Sequence, residues 1–405
     1  LQMGTQNSNR DVVFLSGVRT PFGTYGGTLR DVSAIELGVV ASKAAMSRAS
    51  IAPASIQQTI FGNVLYTSSD SPYFARHVAL RSGCPIESPA LTLNRLCGSG
   101  FQAVVSGAME IITGESEVCL VGGSESMSQA PHAVRGIRWG VPMGKSPVLE
   151  DTLTEGLKDS FAGIGMGDTA ENLGEQYGIG REASDEFALR SQTLARDAWA
   201  SGVYDAEVIP VPVTNPKTRQ TEEFRRDEHM RPNSTADGLA KLRPVFRENG
   251  VVTAGNASGI GDGAAAMVIA SRDYADSNGL KPLGRLVSWG LAGVDPRIMG
   301  IGPVPASRSA LERAHMSLDD MDLIEINEAF ATQACAVAAE MRIPREKLNI
   351  HGGAVALSHP LAASGARITV HLLHALRASG KRFALGSACI GGGQGIAVIV
   401  ESLSA

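Results

Sequence analysis

Two rhythms of apolar residues run along this chain. Short unbroken apolar runs that stop at glycine read as buried strands, and runs with apolar residues three and four apart read as helices. Residues 11–16, DVVFLS, stop at Gly17 and predict a first buried strand. Residues 34–49 (AIELGVVASKAAMSRA) have helical spacing. Residues 99–114 predict a second helix, rich in small residues, with Gly114 as its C-terminal stop. EVCLVGG (117–123) follows as a strand running into a glycine turn. From about 128 to 250 the pattern changes. This stretch carries most of the long charged runs, including RQTEEFRRDEHMR (219–231), and reads as an insertion or cap without strong strand–helix alternation. At 251–271 the apolar and glycine pattern resumes.

The last part of the chain repeats the logic of the first. DMDLIEIN (320–327) predicts a strand with a polar tip, 363–380 a helix, and RFALGSAC (382–389) a strand entering IGGGQG (390–395). Both SGFQAVVSGAMEIITGESEVCLVGG and SGARITVHLLHALRASGKRFALGSACIGGG run Ser-Gly, helix, Gly, strand and a reactive-looking turn. The chain therefore reads as two related α/β halves.

Composition narrows the class. With 405 residues, 43% hydrophobic and 19% charged, the chain is long enough for two or three domain-sized units and a sizeable core. A net charge of −5 gives no support to nucleic acid as a main partner. No apolar run reaches the roughly 18 residues of a membrane span. The polar start, LQMGTQNSNRD, lacks the apolar core of a signal peptide. Cys84, Cys97, Cys119, Cys335 and Cys389 are widely spaced without a CxxC pair, which speaks against a zinc site or redox dithiol and for a reducing compartment.

Candidate chemistry gathers at a few positions. Cys97 stands ahead of Gly98-Ser99-Gly100 at a predicted helix start. It is either a buried small hydrophobe or a nucleophile whose thiolate the helix end favours. His359 precedes Pro360, which biases it to extended geometry, in a loop ahead of a helix start at Ser364-Gly365. It is either a structural loop histidine or a base for a thiol. Cys389 ends a strand before three glycines whose bare N–H groups can line an anion pocket. Asn327-Glu328-Ala329-Phe330 reads as a helix cap or a polar site, and GNASG (255–259) as a turn. His371 and His374, spaced i, i+3 without a nearby carboxylate, read as structural, and no metal site is expected.

Six segments together resemble the thiolase family: NRLCGSG (94–100), GGSESMS (122–128), TAGNASG (253–259), NEAF (327–330), GGAVALSHP (352–360) and CIGGGQG (389–395). They occur in family order over almost the whole chain. The wording is closest to the 3-ketoacyl-CoA thiolases and acetyl-CoA acetyltransferases. The resemblance implies two similar βαβαβαββ halves in five αβαβα layers. It places one half at 11–127 plus 251–280, a loop domain over the CoA site at 128–250, and the other half at 281–405.

The resemblance also implies roles. Cys97 takes the acyl group as a thioester, His359 removes its proton, and Cys389 moves the proton at the α-carbon of acetyl-CoA. Asn327, through a water, and His359 form an oxyanion hole for the enolate; the backbone N–H groups of Cys97 and Gly391 form another for the acyl carbonyl. Ser258 is a pantetheine contact and Arg231 lies near the adenine end. Leu157, Met166 and Phe330 line the pantetheine and acyl pocket. CoA is a co-substrate with no bound cofactor, and the family assembles as homodimers or homotetramers. The expected location is the cytoplasm of a bacterium, or the mitochondrial matrix or peroxisome of a eukaryote.

Four positions depart from the family pattern. His351 stands where Asn is usual, while Ser358 and Ala362 stand where Gly is usual on either side of His359-Pro360. Gly165 stands where the biosynthetic branch often has histidine. A positive φ at Ala362 would strain the loop carrying His359. The competing readings are a ketoacyl-synthase-like condensing enzyme, which usually pairs its cysteine with two histidines, and a non-catalytic acyl-CoA-binding protein. A papain-type hydrolase would also use a Cys/His pair, but its usual signature around the cysteine is absent.

Overall fold

The computed structural model describes residues 11–215 and 217–403. Among the described residues its framework is a ten-stranded mixed sheet: nine strands in two halves, and the short strand Gly23–Thr24 paired with Gly261–Ser271. One half runs Val12–Arg19, Gly261–Ser271, Val118–Ser126, Gln58–Gly62, Ala90–Leu93. The other runs Gly284–Gly293, Gln394–Ser402, Phe383–Ile390, Leu323–Ile326. The order is the same in both, which the sequence repeat predicts. A fifth strand in the second half is reduced to a parallel bridge between Ile324 and Leu348. Among the described residues the two sheet halves pair at Val13 with Arg285 and Phe14 with Gly284.

Strand periodicity sorts the layers, because successive side chains point to opposite faces. Val12 and Phe14 face an inner core with Phe101, Val105, Ile368, Leu372, Ile396 and Val398. Val13 and Leu15 face outward to Ile35, Leu37, Phe74 and Val78. In the second half Ile396 and Val398 point inward, while Ala397 and Ile399 meet Val304, Ala310, Ala336 and Val337. Helices Ser99–Thr113 and Leu361–Ser379 thus lie between the two sheet halves. Ala34–Arg48 and Phe74–Arg81 cover one outer face; Pro303–Ala314 and Ala331–Met341 cover the other. The result is five layers, helix–sheet–helix–sheet–helix. Leu361–Ser379 is buried nearly all round, as its central place demands.

Local signals explain several boundaries. Ser33 and Glu36 form a reciprocal capping box at the first long helix. Gly114 ends Ser99–Thr113 in the left-handed conformation, as expected. The helix expected from Ser364-Gly365 begins earlier, at Leu361. Proline at 360 is its N-cap and leaves the next residues free to be helical.

The charged middle is more regular than its pattern suggests, with helices at Met166–Tyr177 and Arg181–Ala200. The buried face of the second is built from Ser184, Ala188, Ser191, Ala195 and Ala198. Small residues give little hydrophobic contrast, so periodicity does not reveal it.

A buried ion cluster fastens this middle region to the sheet. Fully buried Arg19 donates to Glu207 at 2.7 Å and to both oxygens of Asp227 at 2.7 and 3.0 Å. His371 reaches Glu207 at 2.8 Å, and His351 reaches His371 at 3.0 Å. Among the described residues, no helix is long and apolar enough to cross a membrane.

Candidate active site

The site forms where the two central helices begin. Their first turns touch backbone to backbone, and two glycines permit it. A Cβ on Gly100 would lie 2.3 Å from the Ala366 nitrogen, and one on Gly365 would lie 2.5 Å from the Phe101 nitrogen. No side chain fits at either position. The Ser-Gly pair repeated in the sequence is therefore the contact that brings the Cys97 and His359 loops together.

Cys97 sits in a single 3-10 turn, Leu96–Gly98, just before the helix. Ser99 Oγ accepts from the Arg95 N–H at 2.8 Å and donates to the Leu96 carbonyl at 2.7 Å. Leu96 adopts a positive φ of 46°. The helix start is where the sequence puts it, but it does not make Cys97 a thiolate. Burial pushes the thiol up to about 11, opposed by the Gly391 and Cys97 N–H groups and reinforced by the charge of Glu125.

His359 is 6% exposed, and its backbone N–H donates to the Gly259 carbonyl at 2.8 Å. Ser364 Oγ donates to the Pro360 carbonyl at 2.9 Å, so it accepts from His359 Nδ1–H at 2.5 Å. That pair fixes the tautomer and leaves Nε2 with its lone pair. Asn327 Nδ2 donates to Nε2 at 3.3 Å. Burial, then Arg367, lower the imidazole to about 4. The resting pair is thus neutral thiol and neutral imidazole. Sequence reasoning missed Ser364; the signal available was a hydroxyl in the first turn after His-Pro.

Cys389 and Asn327 are fully buried. The Asn327 N–H donates to Ser387, next along the neighbouring strand, at 2.8 Å. Cys389 packs among Met299, Ala329, Phe330 and Met166, and its thiol is pushed up by burial and by Cys97. An apolar cavity of about 430 Å³ opens in front of these groups. Cys97, His359, Leu157, Met166, Ser258 and Phe330 are in its wall, while Asn327, Cys389 and Gly391 are not. Leu153, Phe246 and Met299 also line it, and the sequence did not single them out. Arg231 belongs to a second cavity of about 400 Å³ with Gln192, His229 and Ser234. The two abut where the His229 ring meets Gly259.

The departures from the family pattern sort themselves by backbone angle. Ala362 lies in the helix and is not among the residues with positive φ, so the strain feared there does not arise. Ser358 does carry it, at φ 78° and ψ 172°, a region natural to glycine. Gly165 precedes Met166–Tyr177 and has no positive φ. His351 joins the buried cluster through His371.

Comparisons with known proteins bear on the family and the fold. Residues 12–273 match "Thiolase, N-terminal domain" and 280–402 match "Thiolase, C-terminal domain". The mitochondrial 3-ketoacyl-CoA thiolase of Bos taurus is 51% identical over 393 residues, covering 97% of this chain and 98% of the relative. An acetyl-CoA acetyltransferase of Syntrophomonas wolfei is 45% identical, covering 97% and 100%. The crystal structure of human mitochondrial 3-ketoacyl-CoA thiolase in complex with CoA superimposes with a TM-score of 0.95, at 51% identity and 97% and 98% coverage. Sequence and fold agree from one end of the described chain to the other, and this protein belongs to the thiolase family.

Proposed function

We propose that this thiolase is an acetyl-CoA C-acyltransferase. It cleaves 3-ketoacyl-CoA with free CoA to acetyl-CoA and an acyl-CoA shortened by an acetyl unit, and it runs the reverse condensation. The observation that carries this reading is that Cys97 and His359 share the wall of one apolar cavity, with Asn327 and Cys389 packed behind it.

In the cleavage direction His359 Nε2 takes the proton of Cys97 Sγ as the sulfur attacks the keto carbon. The bond between the α-carbon and that carbon then breaks. Its electron pair leaves as the enolate of acetyl-CoA, and the acyl group stays on Cys97. Protonated Nε2, and Asn327 through a water, donate to the enolate oxygen; one such donor is worth roughly 3 kcal/mol. The N–H groups of Cys97 and Gly391 serve the acyl carbonyl. Cys389 protonates the α-carbon and releases acetyl-CoA, then takes the thiol proton of incoming CoA, whose sulfur attacks the acyl-cysteine. The shortened acyl-CoA leaves and Cys97 recovers its proton. CoA is co-substrate throughout.

Ser258, Leu157, Met166 and Phe330 would line the pantetheine and acyl path, and Arg231 would meet the adenine end in the adjoining cavity. Residues 128–250 act as the loop domain over that path, between halves at 11–127 plus 251–280 and 281–405. We further infer a homodimer or homotetramer. The strand Ala90–Leu93 ends the sheet with Leu91 exposed, and Trp139 and Met143 are almost wholly exposed, both of which support it. The relatives are mitochondrial and bacterial, which supports a mitochondrial interior or the bacterial cytoplasm as the location; a peroxisomal interior rests on the family resemblance alone.

The test is CoA-dependent loss of 3-ketoacyl-CoA substrates from short to long chain on purified protein. Turnover that requires free CoA and yields acetyl-CoA is the expected result. CoA binding without turnover at any chain length would overturn it in favour of a non-catalytic acyl-CoA-binding protein.

A further inference from the structure

The motif GGSESMS contains a carboxylate, Glu125, to which the reaction above gives no part. Glu125 is fully buried at the end of the strand Val118–Ser126. Among the described residues the hydrogen bonds it accepts come from four neutral N–H donors. Oε1 accepts from Asn63 Nδ2 at 3.1 Å and from the Leu65 N–H at 3.0 Å. Oε2 accepts from the Val64 N–H at 3.1 Å and from the Ala362 N–H at 3.2 Å. Ala362 is in the first turn of the helix that follows His359-Pro360. A carboxylate is well placed at that positive end. The other three donors belong to the 63–65 loop, which reaches the nucleophile: Asn94 Nδ2 donates to the Val64 carbonyl at 3.3 Å, and Asn94 Oδ1 accepts from the Leu96 N–H at 2.9 Å. Leu96 is the positive-φ residue directly before Cys97. Val64, Leu65, Leu361 and Ala362 also form one apolar cluster against which Cys97 packs.

We propose that Glu125 is a positioning residue that fixes the Cys97 loop and the His359 loop relative to each other, one carboxylate holding both. The assignment rests on the acyl-transfer reading of those loops. Its chemistry is specific. Shortening the side chain by one methylene keeps the charge but cannot reach both loops. Glutamine keeps the length but turns an NH₂ towards two N–H donors. The charge has a second effect. The titratable groups facing Glu125 are Cys97 and Asp262, and Asp262 faces Glu228 in turn. Glu125 itself is raised to about 7, chiefly by burial, and its negative charge opposes a thiolate at Cys97.

Two variants separate position from charge. Glu125→Asp should lower kcat roughly ten- to a hundredfold, with little change in KM for CoA and no shift in the pH profile of Cys97 alkylation by iodoacetamide. Glu125→Gln should lower kcat similarly and move that alkylation profile to lower pH. A Cys97→Ala control identifies the thiol that reacts. Glu125→Asp at wild-type kcat would overturn the proposal. So would an alkylation profile unmoved in Glu125→Gln. Should either variant fail to fold, Asn94→Ala cuts the same connection at the surface: reduced kcat at an unchanged melting temperature supports the proposal, and unchanged kcat sinks it. Wild-type turnover is measured alongside. Its absence would tell against the proposed reaction, while the alkylation profiles would still decide for or against Glu125.

Discussion

At the scale of single residues, neutrality governs the site. A thiol raised to about 11 faces an imidazole lowered to about 4, so no ion pair exists at rest. The lowered imidazole sets a sign. His359 is a base above about 4 and loses that capacity as pH falls through it, well below the ordinary histidine range. The acid limb of kcat/KM should therefore lie near pH 4 to 5 in a pH–rate profile; a limb near 6.5 would show that His359 titrates normally. Cys97→Ala should abolish acyl transfer with the melting temperature kept, since one small, half-buried side chain is lost. Ser364→Ala should reduce kcat roughly tenfold or more at little cost in KM, because the imidazole loses the acceptor that fixes its tautomer. Ser358→Gly relieves a positive φ and should raise stability by about 1 kcal/mol, read as a higher melting temperature. Cys97, His359 and Cys389 are legible as candidates because each stands in a segment that matches the family pattern, with glycines close after both cysteines and a proline directly after the histidine. Ser364 and Glu125 are not, because their parts depend on which backbone groups the fold brings to them.

At the scale of elements, strands and helices are legible in the sequence where apolar contrast is strong. The first strand runs on to Arg19, past the stop expected at Gly17, because burial there continues on both faces. Arg181–Ala200 was hidden by its Ala and Ser face. The Ser-Gly repeat was visible, but its reason was not. Gly100 and Gly365 are required by the contact between two helices far apart in sequence. Gly100→Ala should cost about 2–3 kcal/mol by forcing the helix starts apart, and activity should fall further than stability explains. Wild-type turnover in a folded Gly100→Ala protein would show that the close approach is dispensable.

At the scale of the molecule, the charged middle region is held by a salt-bridge cluster that sequence could not announce, since Arg19, Glu207 and Asp227 come from distant segments. Removing Arg19 leaves two buried carboxylates without their cation. Arg19→Ala should therefore cost about 3–5 kcal/mol in urea unfolding and raise KM for CoA as the region over the cavity loosens. A KM unchanged in that variant would separate the cluster from substrate binding. The shared strand order of the two halves has one more consequence. Laying Ser99-Gly100 over Ser364-Gly365 sets Ala362 opposite Cys97 and Asn94 opposite His359. The two halves share one architectural plan, and the proposed chemistry is dealt out once: the first carries the proposed nucleophile and the second the proposed base and the other thiol. Neither half alone holds a working set, and their shared edge of two residue pairs gives little purchase for reassembly if they were made as separate chains. What keeps the partners together is the buried pair of central helices. Division of labour between two copies of one plan has made the single chain indispensable to its own chemistry.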